Sequence, residues 1–168
     1  MTGLTAFVTG RDCRYRCDQA KYLRDAQSRG PQSKATCVIP ETSAKHIALI
    51  AHDQMKPGLT DWVEKNAEIL RPHRFTCTAT TGGFISARLP DLTLNFTKSG
   101  PLGGDQQIGA LIATEEIDLL IFFIDPLSPH PHDVDVKALT RLAVVYDIPM
   151  ASSRATADLI VQSGFFVI

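Results

Sequence analysis

Lys45-His46-Ile47-Ala48-Leu49-Ile50-Ala51-His52-Asp53 holds five apolar residues in succession and then turns polar. A run this short, apolar in both registers of a pleated chain, reads as a strand covered on both faces, the signature of a parallel sheet. The pattern recurs downstream, and strands are expected at 47–51, 74–79, 92–96, 119–124 and 148–151. Between them Leu59, Trp62, Val63, Ala67 and Leu70 keep helical spacing, as do Ile108, Leu111 and Ile112, and then Leu139, Leu142, Ala143 and Tyr146. A last helix is expected at 154–162. Strands alternating with helices predict an α/β fold, a doubly wound, mainly parallel five-stranded sheet with helices on both faces.

The bulk numbers limit the function classes. With 168 residues, 44% hydrophobic and 21% charged, the chain can bury one substantial core. The formal net charge of −1 offers no basic excess for nucleic acid or an anionic membrane surface. The apolar run 119–124 is far too short to span a bilayer, and the N-terminus lacks the pattern of a signal peptide, so a cytoplasmic protein is expected. Residues 1–44 read differently from the rest: Arg11, Arg14, Arg16, Lys21, Arg24, Arg29 and Lys34 outnumber the acids, and apolar periodicity is poor. They are expected to form a mobile or disordered extension, with one short helix around 18–29 stopped by Gly30-Pro31, ahead of a folded domain at 45–168. Cys13, Cys17 and Cys37 have no paired metal-ligand spacing, and Cys77 reads as core.

Position within the fold then selects the chemistry, because open α/β sheets bind ligands outside the carboxyl ends of their strands. His52, Asp53 and Lys56 follow the first expected strand. Thr78-Ala79-Thr80-Thr81-Gly82-Gly83 follows the second, Ser99, Gly100 and Asp105 the third, and Asp125, His130, His132, Asp133 and Asp135 the fourth. The fifth supplies Ser152, Ser153, Arg154 and Thr156. Lys56 precedes Pro57 at a helix start, where a cation opposes the macrodipole at a cost of roughly 0.3–1 kcal/mol; an anionic ligand would reverse that sign. The threonines stand at a strand-to-helix turn where hydroxyls and N–H groups can share a phosphate. No Lys-Ser or Lys-Thr follows the glycines, which excludes a nucleoside triphosphate P-loop.

The run Gly100-Pro101-Leu102-Gly103-Gly104-Asp105-Gln106-Gln107 sets flexible backbone, a carboxylate and two amides at the start of a helix. It reads as a phosphate cradle with a base attached. Asp105 has the strand-end carboxylates Asp53 and Asp125 for neighbours, a crowded and desolvated arrangement suited to base chemistry, while the helix dipole keeps it in the ionised form a base requires. In His130-Pro131-His132-Asp133 one neutral histidine is expected to donate a hydrogen bond to a developing oxyanion, in preference to holding a metal. No GxSxG elbow supports a serine hydrolase.

Laid out in order, these motifs resemble the methylglyoxal synthase family over residues 45 to about 163. KHIALIAHD at 45–53, the Thr-rich turn at 78–82, SGPLGGDQQIGALI at 99–112, FFIDPLSPHPHDVDVKALTRLA at 122–143 and IPMASSRATAD at 148–158 recur in the family's order. The resemblance implies conversion of dihydroxyacetone phosphate to methylglyoxal and inorganic phosphate, with no metal and no organic cofactor. It implies Asp105 as the catalytic base, His132 at the carbonyl, and Asp53, Asp125 and Asp135 as supporting acids. Substrate binding would fall to His52, Lys56, Thr78, Ala79, Thr80, Thr81, Ser99, Gly100 and His132. A homohexamer inhibited by phosphate is also implied. The alternative is a non-catalytic regulatory module, since the same fold serves as the ligand-binding allosteric domain of carbamoyl phosphate synthetase. Three departures stand out: Ala79 replaces a common glycine, the chain stops at Phe165-Phe166-Val167-Ile168 and so reads as shortened, and the 44-residue leader is atypical.

Overall fold

A computed structural model describes residues 44–128 and 133–166, all within the compact unit Pro40–Ile168. The expected extension therefore falls outside the described residues, apart from Ala44. Five strands, β1 His46–Ala51, β2 Arg74–Thr78, β3 Leu94–Thr97, β4 Leu119–Phe123 and β5 Met150–Ala151, form one sheet of order β3-β2-β1-β4-β5. Every pairing is parallel, so the sheet is more uniform than the mainly parallel one expected.

The helices are α1 Lys56–Lys65, α2 Ala67–Leu70, α3 Ala79–Arg88, α4 Gly104–Ala113, α5 Asp133–Val145 and α6 Arg154–Gln162. Alternation along β1 and β4 sorts them into two layers. Ile47, Leu49, Leu119, Ile121 and Phe123 pack with Leu59, Trp62, Leu70, Ile85 and Ala157 from α1, α2, α3 and α6. Ala48, Ile50, Leu120 and Phe122 pack with Ile108, Ile112, Val136 and Leu139 from α4 and α5. Winding runs outward from β1 to β3, returns over the other face to β4, and continues to β5. Crossovers that all keep the right-handed sense must change face when the winding direction reverses. Among the described residues no helix is long and apolar enough to cross a membrane.

Local departures from the expected spans have identifiable causes. The helical spacing from Leu59 to Leu70 is shared between α1 and α2, divided at Asn66, whose side-chain amide donates to the Trp62 carbonyl at 2.8 Å and competes with the helix ladder there. Ala79, expected to end the second strand, is the first residue of α3. The third strand starts at Leu94 rather than 92, and Leu92 instead packs into the core. Trp62 Nε1–H donates to Asp158 Oδ1 at 2.8 Å, tying α1 to α6. Cys77 is fully buried as expected, and burial pushes its thiol up to about 12.

Candidate active site

The connections leaving the neighbouring strands β1 and β4 run in opposite directions along the sheet, and the carboxyl ends of β1 and β4 therefore border the crevice where α/β sheets hold ligands. A cavity of about 140 Å³ lies there. Its lining includes seven of the residues expected from sequence: His52, Asp53, Lys56, Thr78, Thr80, Gly100 and Asp105. Ile50, Ala51, Pro101 and Phe122 complete the wall. The volume lies below the roughly 300–1,000 Å³ of drug-sized ligand sites and suits a small phosphorylated molecule better than a nucleotide.

β1 delivers the first group of residues. His52 follows its last residue, is 5% exposed, and accepts the Asp125 backbone N–H on Nδ1 at 2.9 Å. That bond occupies the Nδ1 lone pair, so the ring is neutral and carries its proton on Nε2. Phe122 stands edge-on to the ring, with centroids 5.1 Å apart, and fixes its plane. Lys56 begins α1 ahead of Pro57 and is buried, with its ammonium ion-paired to Asp53. The Asp53 side chain is 90% exposed, so it is not one of the crowded, desolvated carboxylates the sequence suggested. It neutralises Lys56 from the solvent side, leaving the lysine placed to exchange one anionic partner for another.

β2 ends at Thr78, and the turn into α3 follows at once. Thr78 is buried and its hydroxyl donates to Thr81 Oγ1 at 3.0 Å. Thr81 is therefore directed into the protein, whereas Thr80 is exposed and lines the cavity. Ala79 is not among the residues with positive φ, so the position makes no conformational demand for glycine. Its N–H donates to the Lys98 carbonyl at 3.4 Å. The sequence placed Gly82-Gly83 in a phosphate-binding turn, yet both lie inside α3. Gly82 serves packing: a Cβ there would lie 2.6 Å from the Phe96 ring.

The third strand end supplies the carboxylate. Ser99 precedes a single 3-10 turn, Gly100–Leu102, and its carbonyl accepts the N–H groups of Leu102 and Gly104, both at 3.0 Å. Gly103 takes φ +96°, a conformation that favours glycine, and redirects the chain into α4. Gly104 lies against the Lys98 carbonyl so closely that a Cβ would sit 1.9 Å from its oxygen. This approach turns Asp105 inward, where it is 2% exposed within the first turn of α4. The positive end of the helix favours its carboxylate form there.

Asp125 is buried, and its Oδ1 accepts the Leu127 N–H at 3.0 Å, which shapes the turn after β4. It does not line the 140 Å³ cavity, nor do Ala79, Thr81 and Ser99. Asp135 in α5 is half-buried and faces a second cleft, about 340 Å³, that runs between α4 and α5 and shares Asp105 with the first. His130 and His132 lie outside the described residues, together with the oxyanion and metal readings of that loop. Among the described residues no three His, Cys, Asp or Glu side chains are grouped as a metal would require. At the fifth strand end Ser153 caps α6, accepting the Thr156 N–H at 3.5 Å. Phe122, like Ile50 and Ala51, is a cavity residue that the sequence did not single out. It sits in an all-apolar strand, where nothing local distinguishes a ligand-facing ring from a core one.

The domain family described as MGS-like matches residues 58–152. A curated methylglyoxal synthase of Rhizobium rhizogenes is 59% identical over 119 residues, covering 71% of this chain and 94% of the relative. One from Oleidesulfovibrio alaskensis is 54% identical over 121 residues, covering 72% and 82%. The crystal structure of methylglyoxal synthase from Elizabethkingia anophelis superposes with a TM-score of 0.70 at 49% identity, covering 74% of this chain and 81% of that one. Identity of this extent, along most of the length of each relative, establishes that the chain belongs to the methylglyoxal synthase family.

Proposed function

We propose that the protein is a carbon–oxygen lyase that converts dihydroxyacetone phosphate to methylglyoxal and inorganic phosphate, with its catalytic unit in residues 45–168. The observation that carries the reading is a buried carboxylate, Asp105, sharing one small cavity with the Lys56 ammonium and the Thr78 and Thr80 hydroxyls. A module that only sensed an anion would want the lysine and threonines. It would gain nothing from a buried carboxylate beside them, whose charge repels the ligand. The names of the relatives point the same way.

In this mechanism the phosphate exchanges with Asp53 at Lys56 and takes hydrogen bonds from Thr80, the Gly100 segment and Thr78, whose hydroxyl turns from Thr81 Oγ1 to reach it. Held so, the substrate presents its hydroxymethyl carbon to Asp105, which removes a proton from it. The electron pair moves onto the carbonyl oxygen, giving an enediolate. The Nε2–H of neutral His52 and, as the family resemblance implies, His132 donate to the oxygens that gain charge. Collapse of the enediolate then breaks the C–O bond to phosphate, which leaves with the bonding pair. The remaining enol takes up a proton and becomes methylglyoxal. Asp125 supports His52 through its backbone N–H, and Asp135 faces Asp105 across the second cleft. Thr81, Ala79 and Ser99 act by holding the turns that present their neighbours.

Product phosphate competes for the same cavity, which makes it an inhibitor. A homohexamer in the cytoplasm completes the reading and rests on the family resemblance alone. The test is to supply dihydroxyacetone phosphate and follow methylglyoxal and phosphate together. Equimolar release by the wild type, absent in Asp105→Asn, supports the lyase and its base. Phosphate binding without turnover would overturn it in favour of a regulatory module.

A further inference from the structure

Three parts of the site meet at the peptide of Lys98, the residue that follows β3. Its carbonyl accepts the N–H of Ala79, the first residue of α3, at 3.4 Å, and the Thr97 hydroxyl at 3.1 Å. Gly104 presses on the same carbonyl with no room for a Cβ. The Lys98 N–H donates to Oε1 of Gln107 at 2.8 Å. Gln107 also uses its own N–H, which donates to the Gly103 carbonyl at 3.1 Å. One residue therefore grips both ends of the 98–103 loop, by side chain at one end and main chain at the other.

We infer that Gln107 is a positioning residue of this enzyme: its side chain braces the loop and sets the distance between the anion-holding segment at Gly100 and the carboxylate of Asp105. Two residues beyond Asp105 on α4, it points about 200° around the helix from it. It is exposed and lines neither cleft, so it touches no substrate. Its effect passes through Lys98. Because Gly104 already contacts that carbonyl, a shift of the Lys98 peptide moves the start of α4 and the turn into α3 together. Phosphate affinity rests chiefly on the Lys56 charge, which α1 carries outside this linkage, and is the less disturbed, whereas proton abstraction depends on the spacing of the two segments. Misplacement by a fraction of an ångström acts on turnover before binding.

The kinetic arm rests on the lyase reading; a second arm does not. In the full chain, Gln107→Leu is expected to lower kcat about tenfold with KM within about threefold of wild type. Its thermal midpoint should hold, since the bond it loses is exposed. Gln107→Glu keeps an acceptor oxygen at the same reach and should restore most of kcat. Independently, the Lys98 amide should exchange its hydrogen faster in Gln107→Leu and at the wild-type rate in Gln107→Glu. Wild-type kcat in Gln107→Leu, a loss that Gln107→Glu does not restore, or unchanged Lys98 exchange would each overturn the inference. A wild type that releases neither product would overturn the lyase reading instead, and Lys98 exchange alone would then decide the brace.

Discussion

The two ends of the sheet bury polar groups of the same kinds and use them in opposite ways. At the amino end His46 and His73 are 5% and 4% exposed, and both are bonded to the fold itself. His46 Nε2 meets Thr76 Oγ1 at 2.8 Å, its N–H donates to Asp118 Oδ2 at 2.9 Å, and the Lys45 N–H donates to His73 Nδ1 at 3.1 Å. Phe166 lies tilted against the His73 ring, with centroids 5.3 Å apart. At the carboxyl end His52, Lys56 and Asp105 are buried to the same degree, yet they line a cavity. The difference teaches what burial alone cannot: a buried polar group marks function when its surroundings leave room for a ligand, and marks architecture when the fold consumes it.

Substitutions at the two ends should therefore separate turnover from stability. The largest effect is expected for Asp105→Asn, which should reduce methylglyoxal formation by about 10³-fold or more while phosphate affinity stays the same or rises, since a repelling charge is lost. Steady-state kinetics with a phosphate titration tests this. Lys56→Met should come next: it removes a buried charge-assisted contact, and phosphate and substrate should bind about 10- to 100-fold more weakly. An unchanged inhibition constant for phosphate would remove Lys56 from the site. Gly104→Ala should follow, with about tenfold lower kcat and a lower thermal midpoint, because the methyl group must displace the Lys98 carbonyl. A variant as active and as stable as wild type would mean that this contact is loose.

The smallest effect belongs to the amino end and concerns pH. Burial is the chief cause that lowers both histidine pKa values below 6.5, aided at His46 by Arg74 and at His73 by Lys45. The backbones of Glu116 and Phe166 and the carboxylates of Glu116 and Asp118 oppose the shift without reversing it. A group whose folded pKa is depressed lends stability that is complete above 6.5. That stability is lost as pH falls below 6.5 and through the folded value, because the unfolded chain takes up the proton first. The urea midpoint should accordingly fall between pH 7.5 and 5, and less steeply in His73→Asn, whose amide oxygen can still accept the Lys45 N–H. Equal slopes for the two proteins would assign the acid sensitivity to other groups.

Much of the site was legible because chemistry and position coincide in this fold. His52, Asp53 and Lys56 follow an apolar strand and Asp105 follows a glycine loop, so each was placed at the sheet's carboxyl edge by counting along the chain. Two adjacent threonines, Thr80 and Thr81, could not be told apart, because helical rotation turns one outward and the other into a hydrogen bond with Thr78. Asp53 was expected to crowd Asp105 as a desolvated neighbour, yet its side chain stands in solvent while Asp105 is buried. Glycines misled for a related reason: Gly82 in α3 admits the Phe96 ring from β3, a contact with no local trace.

By itself the sequence determined the order of elements, the α/β plan with helices on both faces of the sheet and the set of residues at the strand ends, because apolar periodicity and breakers are properties of neighbouring residues. Only the tertiary structure decided which of those residues share a cavity, which tautomer His52 holds and how closely Gly104 meets Lys98. These depend on atoms brought together from distant parts of the chain, where a rotation of one helix or a shift of one peptide changes the partner while the sequence stays the same.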